Sequence, residues 1–207
     1  MNGGHCSATV LLIPGLREHV SNHWQTLLAA RLPGARTVPP GGRENLDCAA
    51  RIEAIEREAG ALAGPLIVVA HSAGVIATVH WLRRTRRSVQ GALLATPPDF
   101  ERPLPEGYPT ITALREGGWL PVPRARLPCQ SIVAASGNDP LGPFNRVAAL
   151  AACWGSWLVD LGDVGHLNPG SGFGEWPAAL RFIEDLAPGR SGAAAVASGL
   201  RAGEAIR

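Results

Sequence analysis

Val68-Val69-Ala70-His71-Ser72-Ala73-Gly74-Val75-Ile76 decides how this chain is read. The apolar run from Leu66 to Ala70 predicts a strand. The small and apolar residues after Ser72 predict a helix over 73–87. Ser72 then stands at the apex of a sharp strand–turn–helix junction. Ala70 and Gly74 flank it at two residues on either side, where a tight backbone leaves little room for side chains. The turn lifts the hydroxyl out of the sheet and sets it at a helix N-terminus, where the dipole and free N–H groups favour developing negative charge. The first flanking residue is Ala where Gly is usual, the mildest replacement available. The short pattern alone arises by chance in roughly one chain in seven of this size; the strand before it and the helix after it make it specific. The competing reading is a buried serine capping an ordinary strand–helix turn.

Outward from this point, short apolar runs alternate with helical patterns. Ala8 to Ile13 reads as a buried strand ending at Pro14-Gly15, followed by a helix capped by Ser21 and carrying Trp24, Leu27, Leu28 and Leu32. A short strand is expected near Ala35 to Val38. A helix opens at Asn45 and runs to about Ala61, with Leu46, Ala49, Ile52 and Ile55 inward. Three more strands are expected at Gly91–Ala95, Ser131–Ala135 and Trp157–Leu161, with helices near 144–153 and 175–186. The alternation implies parallel strands joined by right-handed crossovers. The expected architecture is a six-stranded parallel sheet in order 2-1-3-4-5-6, with helices on both faces. Residues 97–128 are Pro-rich and irregular, a length that points to a lid, binding loop or cover. Residues 188–207 are Gly- and Ala-rich and read as a tail beyond a domain spanning 1–187.

The composition is that of a single globular α/β domain: 207 residues, 46% hydrophobic and 17% charged. A net charge of +2 gives no support for nucleic-acid or anionic-membrane partners. The 19 basic residues are all Arg, so a lysine Schiff-base mechanism is excluded. The four cysteines form no C-x-x-C, arguing against a disulfide framework or zinc site. The N-terminal residues show no basic stretch leading into an apolar segment, and a reduced, cytoplasmic setting is the default expectation.

A serine hydroxyl needs a positioned base to act as a nucleophile. His166 lies in Gly162-Asp163-Val164-Gly165-His166-Leu167-Asn168, directly after the last strand, where loops of a parallel sheet face the ligand crevice. Its alternative is a loop histidine without a role. A carboxylate must hold the base's tautomer. Asp139, in Ser136-Gly137-Asn138-Asp139-Pro140, is the leading choice, with Asp163 and Asp160 as competitors. The order Ser72, Asp139, His166 is that of α/β-hydrolases. Backbone N–H groups of Ala73 and Leu16 are the candidate oxyanion hole. His71 and Trp119 are candidate pocket residues, and Phe100, Leu104 and Tyr108 join Trp119 as possible apolar wall. His19 and His23 are four apart but lack the Glu of a zinc-protease motif, so no metal and no cofactor is expected.

Pro14-Gly15-Leu16, His23-Trp24-Gln25, Ala70-His71-Ser72-Ala73-Gly74, Asn138-Asp139-Pro140, Gly165-His166-Leu167-Asn168 and Gly172-Phe173-Gly174-Glu175-Trp176-Pro177 occur in that order. Together, over about residues 8–186, they resemble the small serine hydrolases of the retinoblastoma-binding-protein-nine/YdeN type. The resemblance implies a compact α/β-hydrolase without the first antiparallel strands or a large cap, and a triad at Ser72, Asp139 and His166. Leu46-Asp47-Cys48-Ala49-Ala50 lacks the Glu of an L-x-C-x-E motif, so a pocket-protein binding role does not carry over. The leading expectation is hydrolysis of a small carboxylic ester through an acyl-enzyme. An amide, peptide or thioester substrate on the same triad is the alternative, and a non-catalytic binding protein on the same scaffold is the third.

Overall fold

The computed structural model describes residues 8–16, 20–42 and 44–187. Six parallel strands, β1 (Thr9–Ile13), β2 (Arg36–Thr37), β3 (Leu66–His71), β4 (Val89–Ala95), β5 (Gln130–Ala135) and β6 (Trp157–Asp160), form one sheet in the order β2-β1-β3-β4-β5-β6. This is the expected order, with its reversal between β1 and β3. The predicted tail at 188–207 lies outside the described residues.

Alternate residues of the strands other than β2 feed two separate cores, which is why the central strands are apolar throughout. Leu11, Ile13, Val68, Ala70, Leu94 and Val133 pack with α2 (Cys48–Gly60), α3 (Ala73–Leu82) and α5 (Phe144–Trp154). Val10, Leu12, Ile67, Val69, Leu93 and Ile132 pack on the other face with α1 (Trp24–Arg31) and α6 (Ala178–Asp185). Among the described residues no helix is long and apolar enough to cross a membrane.

Several boundaries differ from expectation: β4 opens at Val89 rather than Gly91, α6 at Ala178 rather than near 175, and three others have a visible cause. His23 rather than Ser21 caps α1, its Nδ1 accepting from the Gln25 N–H at 3.2 Å. Asp47 rather than Asn45 caps α2, accepting from the Ala50 N–H at 3.1 Å. Shifting the start turns Cys48 inward and leaves Ala49 exposed. The third helix stops at Leu82, five residues early. Arg87 instead reaches back to donate to the carbonyls of Leu62 and Gly64, at 2.8 and 2.9 Å, locking the turn that starts β3.

The segment at 97–128 contains a short helix, α4 (Ile111–Glu116), capped by Thr110. It is pegged at several points. The Asp99 N–H donates to Leu141 O at 2.8 Å, and its carboxylate takes the Arg146 guanidinium of α5, Nε at 2.7 Å. Trp119 Nε1 donates to Leu46 O at 2.6 Å, and Trp154 Nε1 to Pro123 O at 2.8 Å.

A close backbone contact lies beneath Ser72. A Cβ at Gly74 would stand 2.6 Å from both Ile13 O and Pro14 O, so the loop after β1 rests directly on α3. Both obstacles are backbone and cannot swing away. Gly74→Ala is therefore expected to destabilise by about 1–3 kcal/mol. Thermal unfolding should read this as roughly 2–4 °C of Tm per kcal/mol; an unchanged Tm would show that the loop yields.

Candidate active site

β3 ends at His71 and α3 begins at Ala73, leaving Ser72 alone in the turn with φ 56° and ψ −132°. A positive φ in a residue with a Cβ is strained and persists only when its surroundings enforce it. Here the Ser72 N–H is held by Ala95 O at 3.0 Å, and its carbonyl accepts from the Val75 N–H at 2.8 Å. The half-buried hydroxyl points to the C-terminal edge of the sheet.

There it meets the loops after β5 and β6. Ser72 Oγ donates to His166 Nε2 at 2.8 Å, and His166 Nδ1–H donates to Asp139, 2.8 Å to Oδ2 and 3.0 Å to Oδ1. Asp139 Oδ1 also accepts from the Leu141 N–H at 2.9 Å. His166 and Asp139 are 4% and 6% exposed, dry enough that a carboxylate there needs its partners. With a carboxylate that can only accept, Nδ1 carries the proton and Nε2 is free to accept from serine. The competing acids are elsewhere: Asp160 accepts from the Gly162 N–H at 2.8 Å, and Asp163 is exposed, its carboxylate lying against Gly137.

Sequence reasoning missed what holds these loops together. Asn138 Oδ1 accepts from the Gly165 N–H at 2.7 Å and from Ser136 Oγ at 3.0 Å, while Ser136 Oγ accepts from the Val164 N–H at 3.1 Å. The acid-bearing loop thus carries the base-bearing loop residue by residue. Two polar residues just before Asp139 are the signal that was available.

His71 is buried, and its Nε2–H donates to the carbonyl of His166 at 2.9 Å. Its ring lies 5.0 Å from the His166 ring and 4.7 Å from that of His23. Burial above all, and then the charges of His166 and His23, hold its pKa well below the ordinary value; the hydrogen bond to His166 opposes this without overcoming it. His71 lines the cavity. Trp119 does not: it is fully buried, stacked edge-on against Phe100 at 5.5 Å, and supports the wall from behind. Being both large and apolar, it fits either place equally well by sequence.

The cavity over Ser72 has a volume of about 270 Å³. Leu16, Phe100, Leu104, Tyr108 and Leu141 supply its apolar wall. Gly15 comes so close that an added Cβ would lie 3.0 Å from Ser72 Cβ, and Leu16 follows it into the same cavity. Ala73, as the first residue of α3, has an N–H with no intrahelical acceptor. Among the described residues no group of three or more His, Cys, Asp or Glu side chains is arranged to hold a metal. His19 lies outside them.

A parallel sheet with this strand order, a serine in a strained strand–helix turn, and a histidine and aspartate delivered by the last two strand-end loops define an α/β-hydrolase. Residues 10–185 match the model of the serine hydrolase family, and the chain belongs to that family. A YdeN-like protein from Pectobacterium atrosepticum is 30% identical, with 87% of this chain and 93% of that one covered and a TM-score of 0.74. The ydeN gene product of B. subtilis is 21% identical, covering 86% and 98%, with a TM-score of 0.71. Est1E from Butyrivibrio proteoclasticus, 14% identical over 89% and 87% with a TM-score of 0.62, shares the fold alone. No curated protein sequence matches the chain.

The buried His71 has a consequence for stability. Its folded pKa is lowered, so below about pH 6.5 the unfolded chain binds a proton that the folded chain refuses. Its favourable contribution is complete above that pH and is lost as pH falls. Tm measured from pH 7.5 to 5 should drop, and more shallowly in His71→Gln. His80, also lowered by burial, should leave some residual slope. Equal slopes in the two proteins would exclude His71 as the source.

Proposed function

We propose that this protein hydrolyses small carboxylic esters through an acyl-enzyme, with Ser72 as nucleophile, His166 as base and acid, and Asp139 as the group that orients and stabilises the imidazolium. The observation that carries the reading is the unbroken relay Ser72 Oγ–His166 Nε2 and His166 Nδ1–Asp139, every link between 2.8 and 3.0 Å.

Ser72 Oγ attacks the ester carbonyl carbon as His166 Nε2 takes the hydroxyl proton. The carbonyl electron pair moves onto oxygen, where the N–H groups of Leu16 and Ala73 stabilise it. Collapse of the tetrahedral species breaks the ester C–O bond, and His166 passes its proton to the departing alkoxide. Water, deprotonated by the same nitrogen, then attacks the acyl carbon and returns Ser72 and the free acid. Neutral His71 keeps a second positive charge away from the imidazolium that forms in each half-reaction.

The cavity is below the usual range for small-molecule sites of about 300–1,000 Å³. Its described lining contains no Asp, Glu or Arg. Both features favour a short, uncharged, largely apolar acyl group. A reduced cytoplasmic location belongs to the same reading, supported by the free thiols of Cys48, Cys129 and Cys153.

Ser72→Ala should abolish labelling by a fluorophosphonate probe and lower turnover by several orders of magnitude, on the order of 10⁶ by analogy with a serine protease. Retention of activity within tenfold would assign the chemistry elsewhere. Asp139→Asn should cost on the order of 10⁴ in kcat, whereas Asp163→Asn should cost little; the reverse ranking overturns the assignment. Across p-nitrophenyl esters from acetate to palmitate, kcat/KM should peak at short chains. A long-chain optimum, or a matched thioester or amide turned over faster than the ester, would reassign the substrate class.

A further inference from the structure

The His23-Trp24-Gln25 stretch opens α1 on the face of the sheet opposite α3, yet Gln25 is buried and lines the cavity. Its Nε2 donates to two main-chain carbonyls, Ile13 O at 3.2 Å and Val69 O at 3.0 Å. Carbonyls only accept, so the amide orientation is fixed: both N–H groups face the backbone. These carbonyls belong to the C-terminal halves of β1 and β3, the pair that flanks the reversal in strand order. Ile13 precedes Pro14-Gly15-Leu16, and Val69 lies three residues before Ser72. Oε1 is left buried with no hydrogen-bond partner among the described residues, which costs stability rather than adding to it.

We infer that Gln25 is a positioning residue that spans β1 and β3 and fixes the distance from the Leu16 N–H to the carbon attacked by Ser72. The inference rests on the acyl-enzyme reading above. Two contacts make the distance sensitive. Gly15 approaches Ser72 with room for no side chain beyond hydrogen without crowding, and Gly74 carries the Ile13 and Pro14 carbonyls on its Cα. From above, the loop is pressed onto Gly74; from the opposite face, Gln25 pulls on the carbonyl at its root. An apolar side chain of the same size at position 25 removes the pull and leaves the push. The loop then relaxes away from Ser72, and the N–H no longer meets the oxyanion, whose position matters more than that of the substrate carbonyl.

The effect belongs to the transition state. In Gln25→Met, kcat for p-nitrophenyl acetate should fall about 10- to 100-fold, short of the 10²–10³ lost when an oxyanion donor is deleted outright. KM should stay within threefold. Affinity for a trifluoromethyl ketone, which forms the tetrahedral adduct, should fall by the same factor as kcat. The pH dependence of kcat should not move, because His166 is untouched. A raised KM with unchanged kcat would make Gln25 a mere pocket wall, and unchanged kcat with a lowered Tm would make it merely structural; either overturns the proposal. Gln25→Leu repeats the test with a different shape. Should neither variant fold, the wild-type protein still decides. The Gln25 side-chain amide protons should be protected from exchange and should shift when a phosphonate modifies Ser72; rapid exchange, or no shift, overturns the proposal. Failure of the underlying reading is distinguishable, because wild-type Ser72 would then escape phosphonate labelling altogether.

Discussion

The contact between Gly74 and the carbonyls of Ile13 and Pro14 is the constraint on which the rest of the site depends. It brings the first strand's loop and the nucleophile turn to van der Waals distance at the one point where the strand order reverses. In a parallel sheet, such a reversal opens a crevice, because consecutive connections leave to opposite faces. Here the crevice is floored by backbone rather than side chains. Ser72 can keep its strained φ of 56° because β4 holds its N–H and the loop leaves it no other place to go.

Around this floor the polar groups are joined by short, mostly uncharged hydrogen bonds rather than by ion pairs. Ser136 and Asn138 tie the loop after β5 to the loop after β6, and His71 ties the end of β3 to the His166 carbonyl. Such contacts are directional and dry, so they fix position in a way that surface pairs do not. Arg31–Glu175, half-exposed on both sides, is an example of the latter and contributes little. Ser136, Asn138 and His71 each serve a neighbour's geometry as well as their own desolvation.

Much of this arrangement is legible in the sequence because it sits at strand ends. A strand of known direction delivers its following loop to a known edge. Hence apolar runs ending before Ser72, Asp139 and His166 pointed to these side chains, with Asp160 and Asp163 left as competitors to Asp139. Boundaries were less legible where two capping residues compete: Ser21 with His23, and Asn45 with Asp47. The third helix looks longer in sequence because its arginines have good helical propensity; the bonds from Arg87 to Leu62 and Gly64 override it. Trp119 was placed in the pocket because size and apolarity do not distinguish a wall from the layer behind it. Gln25 entered only as part of a resembling motif, with no role of its own, for the opposite reason. A glutamine in a surface helix reads as solvent-facing, and nothing local reveals two carbonyls waiting across the sheet.

The cover over the cavity divides its labour along the chain. Asp99, Trp119 and Pro123 anchor it to α5 and to the turn before α2, while Leu104 and Tyr108, between the anchors, face the cavity. The anchors at Asp99, Trp119 and Pro123 lie on either side of residues 102–109. Changes there alter the shape offered to a ligand while leaving strand ends, loops and nucleophile turn in place. Loops held by a rigid frame are where proteins diversify. A substitution in this segment therefore reshapes the mouth of the cavity with little disturbance to the machinery beneath it.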